Sequence, residues 1–211
     1  MKTYELIINK ENKKAGVDYI ALVDRPAIES DWLVFSEDEK QVFKIKDKEK
    51  RIVSGYFMIA NKPIYRNDKE RGEHNIFFSS DTVINIQRDF MYNDRNTNTN
   101  LMHEDNLKMD DVVIFEHIVL DKERGAKPFE GFKVEDDGSW FGSMYVPEHK
   151  VKLWSLIEEG KFRGFSVEGF FSYVQDHEQQ TLRSIKEVLN STLEDAQKEE
   201  SIKILLKNIT Q

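Results

Sequence analysis

The pattern of hydrophobic and polar positions predicts a chain rich in short β-strands. Residues 1–9, 16–23, 52–60, 111–120 and 138–146 are dense in apolar and β-branched residues, and several alternate with polar positions. Pro63 and the polar run 66–72 predict a loop between strands. Residues 93–100, rich in asparagine and threonine, predict a flexible surface loop.

Three stretches have helical spacing instead. In residues 82–91, apolar side chains recur on one stripe after a Ser80-Asp81 cap, and residues 151–159 form a second short helix. From Glu178 onward, leucine and isoleucine recur at helical spacing without glycine or proline, which predicts one or two amphipathic helices. The order predicts an α+β fold: a β-rich barrel or sandwich with packed helices in residues 1–175, then a C-terminal helical tail in residues 176–211.

The segment 160–171 changes its period within a few residues. Helical spacing ends at Gly160, and the period then becomes two, so that Phe165 and Val167 face one side of a strand while Ser166 and Glu168 face the other. Glycines on both sides of this strand let another backbone or a substrate come close. Taken alone, the pattern is better explained by a serine in a half-buried strand than by a nucleophile.

Composition narrows the classes of protein. The 211 residues are 39% hydrophobic and 33% charged, as in a globular protein, and no apolar run approaches the roughly 20 residues of a membrane span. No signal peptide is visible at the N-terminus, so an intracellular location is expected. The absence of cysteine excludes disulfides, thiol catalysis and cysteine-bound metals. A net charge of -8 argues against coating nucleic acid.

A serine nucleophile needs a base, usually histidine, within about 3 Å. The chain offers five: His74, His103, His117, His149 and His177. We expect the first and the last two to be surface residues, and His117 to be a hydrogen-bonded core residue. His103 closes an irregular loop before a strand, where catalytic groups are often held. No histidine pair has metal-ligand spacing, and phosphate-loop, dinucleotide and GxSxG motifs are absent, so neither metal nor cofactor is expected.

Several short motifs, in order over residues 50–175, resemble the phage prohead (capsid maturation) proteases, in particular the XkdF-like branch. These motifs are residues 54–60 with 63–66, 100–104, 112–120, 138–146, 154–160 and 164–169. The resemblance implies a fold similar to the herpesvirus assemblin proteases. It also implies that His103, in the Asn-x-x-His-like segment, is the general base and that Ser166, in the Gly-Phe-Ser-like segment, is the nucleophile.

The resemblance leaves the third catalytic member open. Many relatives have an acidic residue after the serine, in a segment ending in a Leu-Val-x-x-Pro-Ala-like turn. Here such a segment occurs at residues 16–27 instead, so we infer a circularly permuted arrangement in which Asp18 orients His103. Glu116 is the rival, and His117 is a third option because the herpesvirus enzymes use a second histidine.

The implied function is a serine endopeptidase that cleaves scaffold or scaffolding segments inside the assembling prohead, in the host cytoplasm, and cleaves itself. Backbone N–H groups of residues 161–164 would hold the oxyanion. Scaffold and major capsid proteins would be substrates, and the C-terminal helices could form a homo-oligomer; no nucleic-acid or membrane partner is expected. The alternatives are a non-catalytic virion or scaffold-associated protein that retains the protease fold, and a generic hydrolase outside phage biology.

Overall fold

The computed structural model describes residues 2–9, 15–24, 44–104 and 106–207. Within these residues the chain forms eleven strands, four α-helices and a 3-10 turn at Arg95–Thr97. The strands are β1 (Lys2–Ile7), β2 (Gly16–Val23), β3 (Lys44–Asp47), β4 (Ile52–Met58), β5 (Ile64–Asp68), β6 (Gly72–Phe77), β7 (Thr99–Leu101), β8 (Val113–Val119), β9 (Trp140–Tyr145), β10 (Gly164–Phe170) and β11 (Ser172–Gln175). The helices are α1 (Ser80–Tyr92), α2 (Val151–Glu158), α3 (Asp176–Asn190) and α4 (Asp195–Lys207). The predicted α+β class is confirmed.

The strands are arranged in three sheets. Their orders are β11-β1-β6-β5, β10-β2-β7 and β3-β4-β9-β8. In the described part of the chain all three sheets are open and none closes on itself, so the barrel alternative is wrong. β2 pairs antiparallel with β10 and parallel with β7, which makes it the central strand of the three-stranded sheet.

One hydrophobic core joins the three sheets to α1 and α2. Leu6, Ile20, Phe57, Val83 and Phe165 are all buried in it and come from five different elements. The rings of Phe57 and Phe165 lie 4.8 Å apart in an edge-to-face arrangement, which favours their packing beyond the burial of area. The strand that carries Ser166 is thereby fixed to the adjacent sheet through its inward-facing side chains.

Two predicted loops are strands in the structure. The run 66–72 lies within the β5–β6 hairpin, where Asp68 Oδ1 accepts the backbone N–H groups of Glu70 and Arg71 and so closes the turn. β5 is polar because it is the edge strand of its sheet. The run 93–100 ends in β7, whose Thr99 and Asn100 are buried. The Thr99 hydroxyl and the Asn100 amide nitrogen both find hydrogen-bond partners, which makes their burial tolerable.

The helices follow the sequence pattern closely. α1 buries Thr82, Val83, Ile86 and Phe90, and its N-cap is Ser79, one residue before the predicted cap. The predicted tail forms two helices, and α3 contacts β1 and β11. Among the residues that the structure describes, no helix has the length and apolar character required to cross a membrane.

Candidate active site

The candidate site lies on one face of the β10-β2-β7 sheet. Ser166 on β10 pairs with Ala21 on β2, and Ala21 pairs with Asn100 on β7. Residues directly opposite one another in neighbouring strands point to the same face. Ser166, Ala21 and Asn100 therefore form one row, and the small Ala21 side chain in its middle leaves room for longer side chains above β2.

Ser166 and His103 are in direct contact. The Ser166 hydroxyl lies 2.9 Å from Nε2 of His103, which is hydrogen-bonding distance. The serine is only 3% exposed, whereas the imidazole side chain is 22% exposed. With its proton on Nδ1, the imidazole can accept the serine proton at Nε2. The structure thus brings together the two residues that the sequence analysis singled out.

A tight turn after β7 delivers His103 to the serine. Met102 and His103 both have left-handed backbone conformations, with φ of 56° and 60°. Such conformations are uncommon for residues other than glycine and cost about 1–3 kcal/mol each. The turn is held by two hydrogen bonds, from the Met102 N–H to the carbonyl of Leu22 and from the Glu104 N–H to the carbonyl of Leu101. Backbone strain of this kind clusters at functional sites.

Glu168 is the acid beside the imidazole. Its Oε2 lies 3.4 Å from His103 Nδ1 and accepts a hydrogen bond of 3.0 Å from Nδ2 of Asn100. Nδ1 has no hydrogen-bond partner in the described structure, so the contact with Glu168 is electrostatic at this distance. Contacts between catalytic groups are often long before substrate binds and then tighten. The sequence analysis did not single out Glu168 as a partner of His103, although it placed Glu168 on the same face as Ser166.

The expectation that Asp18 lies beside His103 is wrong. Asp18 Oδ1 is 3.5 Å from the guanidinium of Arg95. Asp18 is the extra residue of a bulge in β2, because Tyr19 lies opposite Glu168 and Val17 lies opposite Gly169, and its side chain is 33% exposed. β2 does lie next to the serine strand, but the carboxylate of Asp18 pairs with Arg95 and not with His103.

The two other options for the third member belong to a different sheet. Glu116 on β8 accepts a hydrogen bond of 2.9 Å from the hydroxyl of Ser143. His117 Nδ1 lies 3.2 Å from Nε2 of Gln87, and its ring packs edge-on against Trp140. Neither side chain contacts His103. His117 is half-buried and hydrogen-bonded, and burial lowers its pKa from the ordinary 6.5.

A β-bulge in β2 lies opposite Glu168 and Gly169. The pairing of β10 with β2 shifts between Glu168 and Gly169. Gly169 approaches β2 so closely that an added Cβ would lie 1.9 Å from the carbonyl oxygen of Gly16. Bulges bend a strand and re-aim its side chains, often next to active sites. The close approach of the two backbones at this bulge therefore requires glycine at position 169.

The other histidines are not part of this site. The predicted surface position is wrong for His74, which is fully buried, with Nδ1 2.8 Å from the carbonyl of Gly72. His149 is exposed and contacts Asp111 at 3.0 Å. The side chain of His177 lies outside the described residues. In the part of the chain that the structure describes, no group of three or more histidine or acidic side chains is arranged to hold a metal ion.

The expected oxyanion donors are partly occupied. The N–H of Lys161 donates to the carbonyl of Leu156 at 2.9 Å, and that of Arg163 donates to the carbonyl of Val23 at 2.8 Å. These two groups cannot also bind an oxyanion without breaking those hydrogen bonds. The assignment of the oxyanion hole to residues 161–164 is therefore wrong for two of its four N–H groups in this conformation.

Comparison with known proteins gives no match: no family model, curated protein or solved structure matches this chain.

Proposed function

We propose that this protein is a serine endopeptidase in which Ser166 is the nucleophile, His103 the general base and Glu168 the third member. The observation that carries the proposal is the 2.9 Å contact between Nε2 of His103 and the hydroxyl of Ser166, with a carboxylate 3.4 Å behind the other ring nitrogen. A nucleophile in contact with a base, and a third group that orients the base, is the arrangement that activates a serine.

The mechanism follows from these three positions. Ser166 Oγ attacks the peptide carbonyl while Nε2 of His103 takes the hydroxyl proton, which gives a tetrahedral intermediate and an imidazolium. Glu168 stabilises the imidazolium charge. The imidazolium then gives its proton to the leaving amine, the peptide bond breaks and an acyl ester forms on Ser166. Water, deprotonated by His103, hydrolyses the ester and restores the hydroxyl.

The class of substrate rests on the short motifs that resemble the phage prohead proteases. In that proposal the substrates are scaffold proteins or scaffolding segments inside an assembling capsid, and the chain also cleaves itself. The support from the structure is that the histidine of the Asn-x-x-His-like segment and the serine of the Gly-Phe-Ser-like segment meet. Many proteins place a serine near a histidine, so the added support is the acid and the strained turn behind them.

A fluorophosphonate probe tests the proposal, because it labels only activated serines. We expect labelling on Ser166, located by peptide mass spectrometry, that disappears in Ser166→Ala and slows by at least about 100-fold in His103→Ala. His149→Ala is the matched control, since it also removes an imidazole in contact with a carboxylate but lies elsewhere. If the folded wild-type protein is not labelled, or if His103→Ala labels as fast as wild type, the proposal is refuted.

The second candidate is a non-catalytic assembly protein, and one feature favours it. Apolar side chains of the C-terminal helices are exposed, among them Leu189 at 55% and Ile204 at 55%. A cleft of about 480 Å³ between α3 and α4 is lined largely by the same two helices. Contiguous exposed apolar surface often marks a contact with another protein. An unlabelled Ser166 in a chain that self-associates through these helices would select this candidate.

A further inference from the structure

Asn100 is a buried amide with an unusual environment. Its side chain is 1% exposed, its Nδ2 donates a 3.0 Å hydrogen bond to Oε2 of Glu168, and its Oδ1 has no hydrogen-bond partner. Burial of an amide oxygen without a partner costs stability. A residue that only had to fill this position in β7 would be better replaced by an apolar side chain of similar size, so the amide requires another explanation.

The hydrogen bond from Asn100 ends on the same Glu168 oxygen that lies nearest His103. Oε2 of Glu168 is the atom that lies 3.4 Å from Nδ1 of His103. The Glu168 carboxylate also fixes the orientation of the Asn100 amide. Rotating the amide by 180° would place its oxygen against a negatively charged carboxylate oxygen. Asn100 and His103 are the polar side chains that contact the Glu168 carboxylate in the described part of the chain, and Glu168 is 39% exposed. Without the amide, an exposed carboxylate could turn into solvent.

The strand β7, which carries Asn100, is held in place by hydrogen bonds along both of its edges. The Thr99 hydroxyl lies 3.0 Å from the carbonyl of Met109, and the Leu101 N–H donates to the carbonyl of Leu107. β7 is also paired with β2 along its inner edge. The amide therefore projects from a strand that is hydrogen-bonded on both sides, and it spans the central strand to reach a side chain on β10.

We propose that Asn100 is a positioning residue that holds the Glu168 carboxylate against Nδ1 of His103, an inference that rests on the proposed serine endopeptidase function. Asn100 touches neither the nucleophile nor the base, and it acts through Glu168. Removing the amide is expected to lower kcat, since a displaced acid no longer orients the base, and to leave KM unchanged because no substrate contact is lost.

Replacement of Asn100 by aspartate should give a pH dependence of activity that a merely structural role for Asn100 would not produce. In Asn100→Asp, two carboxyl groups would lie about 3 Å apart, and such a pair retains one proton to higher pH than either group alone. While that proton is present, the new carboxyl can donate to Glu168 as the amide does. Once it is lost, the two carboxylates repel each other and Glu168 leaves His103. The ratio of wild-type to Asn100→Asp activity should therefore rise with pH.

The experiment combines kinetics with nitrogen-15 NMR of the histidine side chains. With a fluorogenic peptide that the wild type cleaves, we expect kcat of Asn100→Ala to fall by about tenfold to a hundredfold with unchanged KM, and Asn100→Asp to lose activity progressively above neutral pH. Asn98→Asp is the matched control, because the amide of Asn98 donates to the backbone carbonyl of Asp18 instead of a carboxylate. Its kcat and pH profile should remain those of the wild type.

The NMR spectra separate failure of this inference from failure of the proposed function. A changed His103 Nδ1 signal in Asn100→Ala, with Asn98→Asp unchanged, supports the positioning role even if no peptide is cleaved. An active wild type whose Asn100→Ala variant keeps both its kcat and its His103 signal overturns the inference and leaves the endopeptidase proposal intact. A loss of unfolding temperature in Asn100→Ala with no change in kcat would likewise overturn it.

Discussion

The choice of Glu168 over Asp18 as the acid behind His103 gives the sharpest prediction. The perturbation is Glu168→Gln, which removes the charge and keeps the size of the side chain. The matched control is Asp18→Asn, which makes the same change on the neighbouring strand, where the carboxylate pairs with Arg95 instead. If the structure assigns the acid correctly, only the first substitution should reduce activity.

The expected magnitude follows from the distance and the exposure of Glu168. A carboxylate 3.4 Å from the imidazolium formed during catalysis would stabilise it by about 5 kcal/mol at an effective dielectric constant near 20, and by about 1 kcal/mol in water. Glu168 is 39% exposed, so solvent screens part of the interaction and a value between these limits applies. About 3 kcal/mol corresponds to a loss of roughly 100-fold in rate.

The assay measures the second-order rate of fluorophosphonate labelling at Ser166 together with kcat/KM for a cleaved peptide. Glu168→Gln should lose about 100-fold in both, and Asp18→Asn should stay within about twofold of the wild type. Circular dichroism and thermal unfolding establish that each variant is folded. Equal losses in the two variants, or a larger loss in Asp18→Asn, would show that Glu168 is not the orienting acid.

Two further predictions concern stability. Gly169→Ala should lower the free energy of unfolding by at least about 3 kcal/mol, because the new Cβ would collide with the carbonyl of Gly16. Gly125→Ala is the control: its Cβ would meet no atom within 4 Å, so it should cost only about 1 kcal/mol for backbone strain. Urea unfolding measures both changes. A smaller loss in Gly169→Ala than in Gly125→Ala would contradict the close approach of the strands. Burial lowers the pKa of His117 in the folded state, so the unfolded chain binds the extra proton first and stability should fall as pH drops below 6.5. His117→Gln, which keeps a hydrogen-bonding group near Gln87, should show a shallower decline between pH 7.5 and 5.5, and an identical decline would refute the assignment.

The periodicity of the chain predicts the elements that bury apolar side chains. Such patterns predict β2 and α1 with bounds that match the structure or differ from it by a residue or two. Polar elements were missed: β5 is a polar edge strand, and β7 carries buried threonine and asparagine. β5 is held by its hairpin with β6 and β7 by its pairing with β2, and hydrophobic patterning does not report such hydrogen-bonded partners.

The candidate site shows the same limit. Ser166 and His103 were identified from short motifs, and the alternation of the strand placed Glu168 beside Ser166. The prediction for Asp18 needed two things: that β2 lies next to the serine strand, and that Asp18 is on the face of β2 that carries the site. The face depends on the register of β2 with β10. A bulge takes Asp18 out of the regular alternation of β2, and hydrophobic patterning does not report such a bulge. The role of Asn100 depends on a contact across an intervening strand, which no local pattern reveals.

The position of β2 at the centre of the sheet has a consequence for when the site can form. Val23 pairs with Gly164, and Ala21 lies between Ser166 and Asn100, so the sheet joins residues from near the beginning, the middle and the later part of the described chain. Such distant pairings are slow to form, because the entropy of closing long loops is lost before the stabilising contacts are made. During synthesis, the hydroxyl and the imidazole cannot meet until translation has passed β10. Under the proposed function, the growing polypeptide therefore has no assembled nucleophile and base before that point.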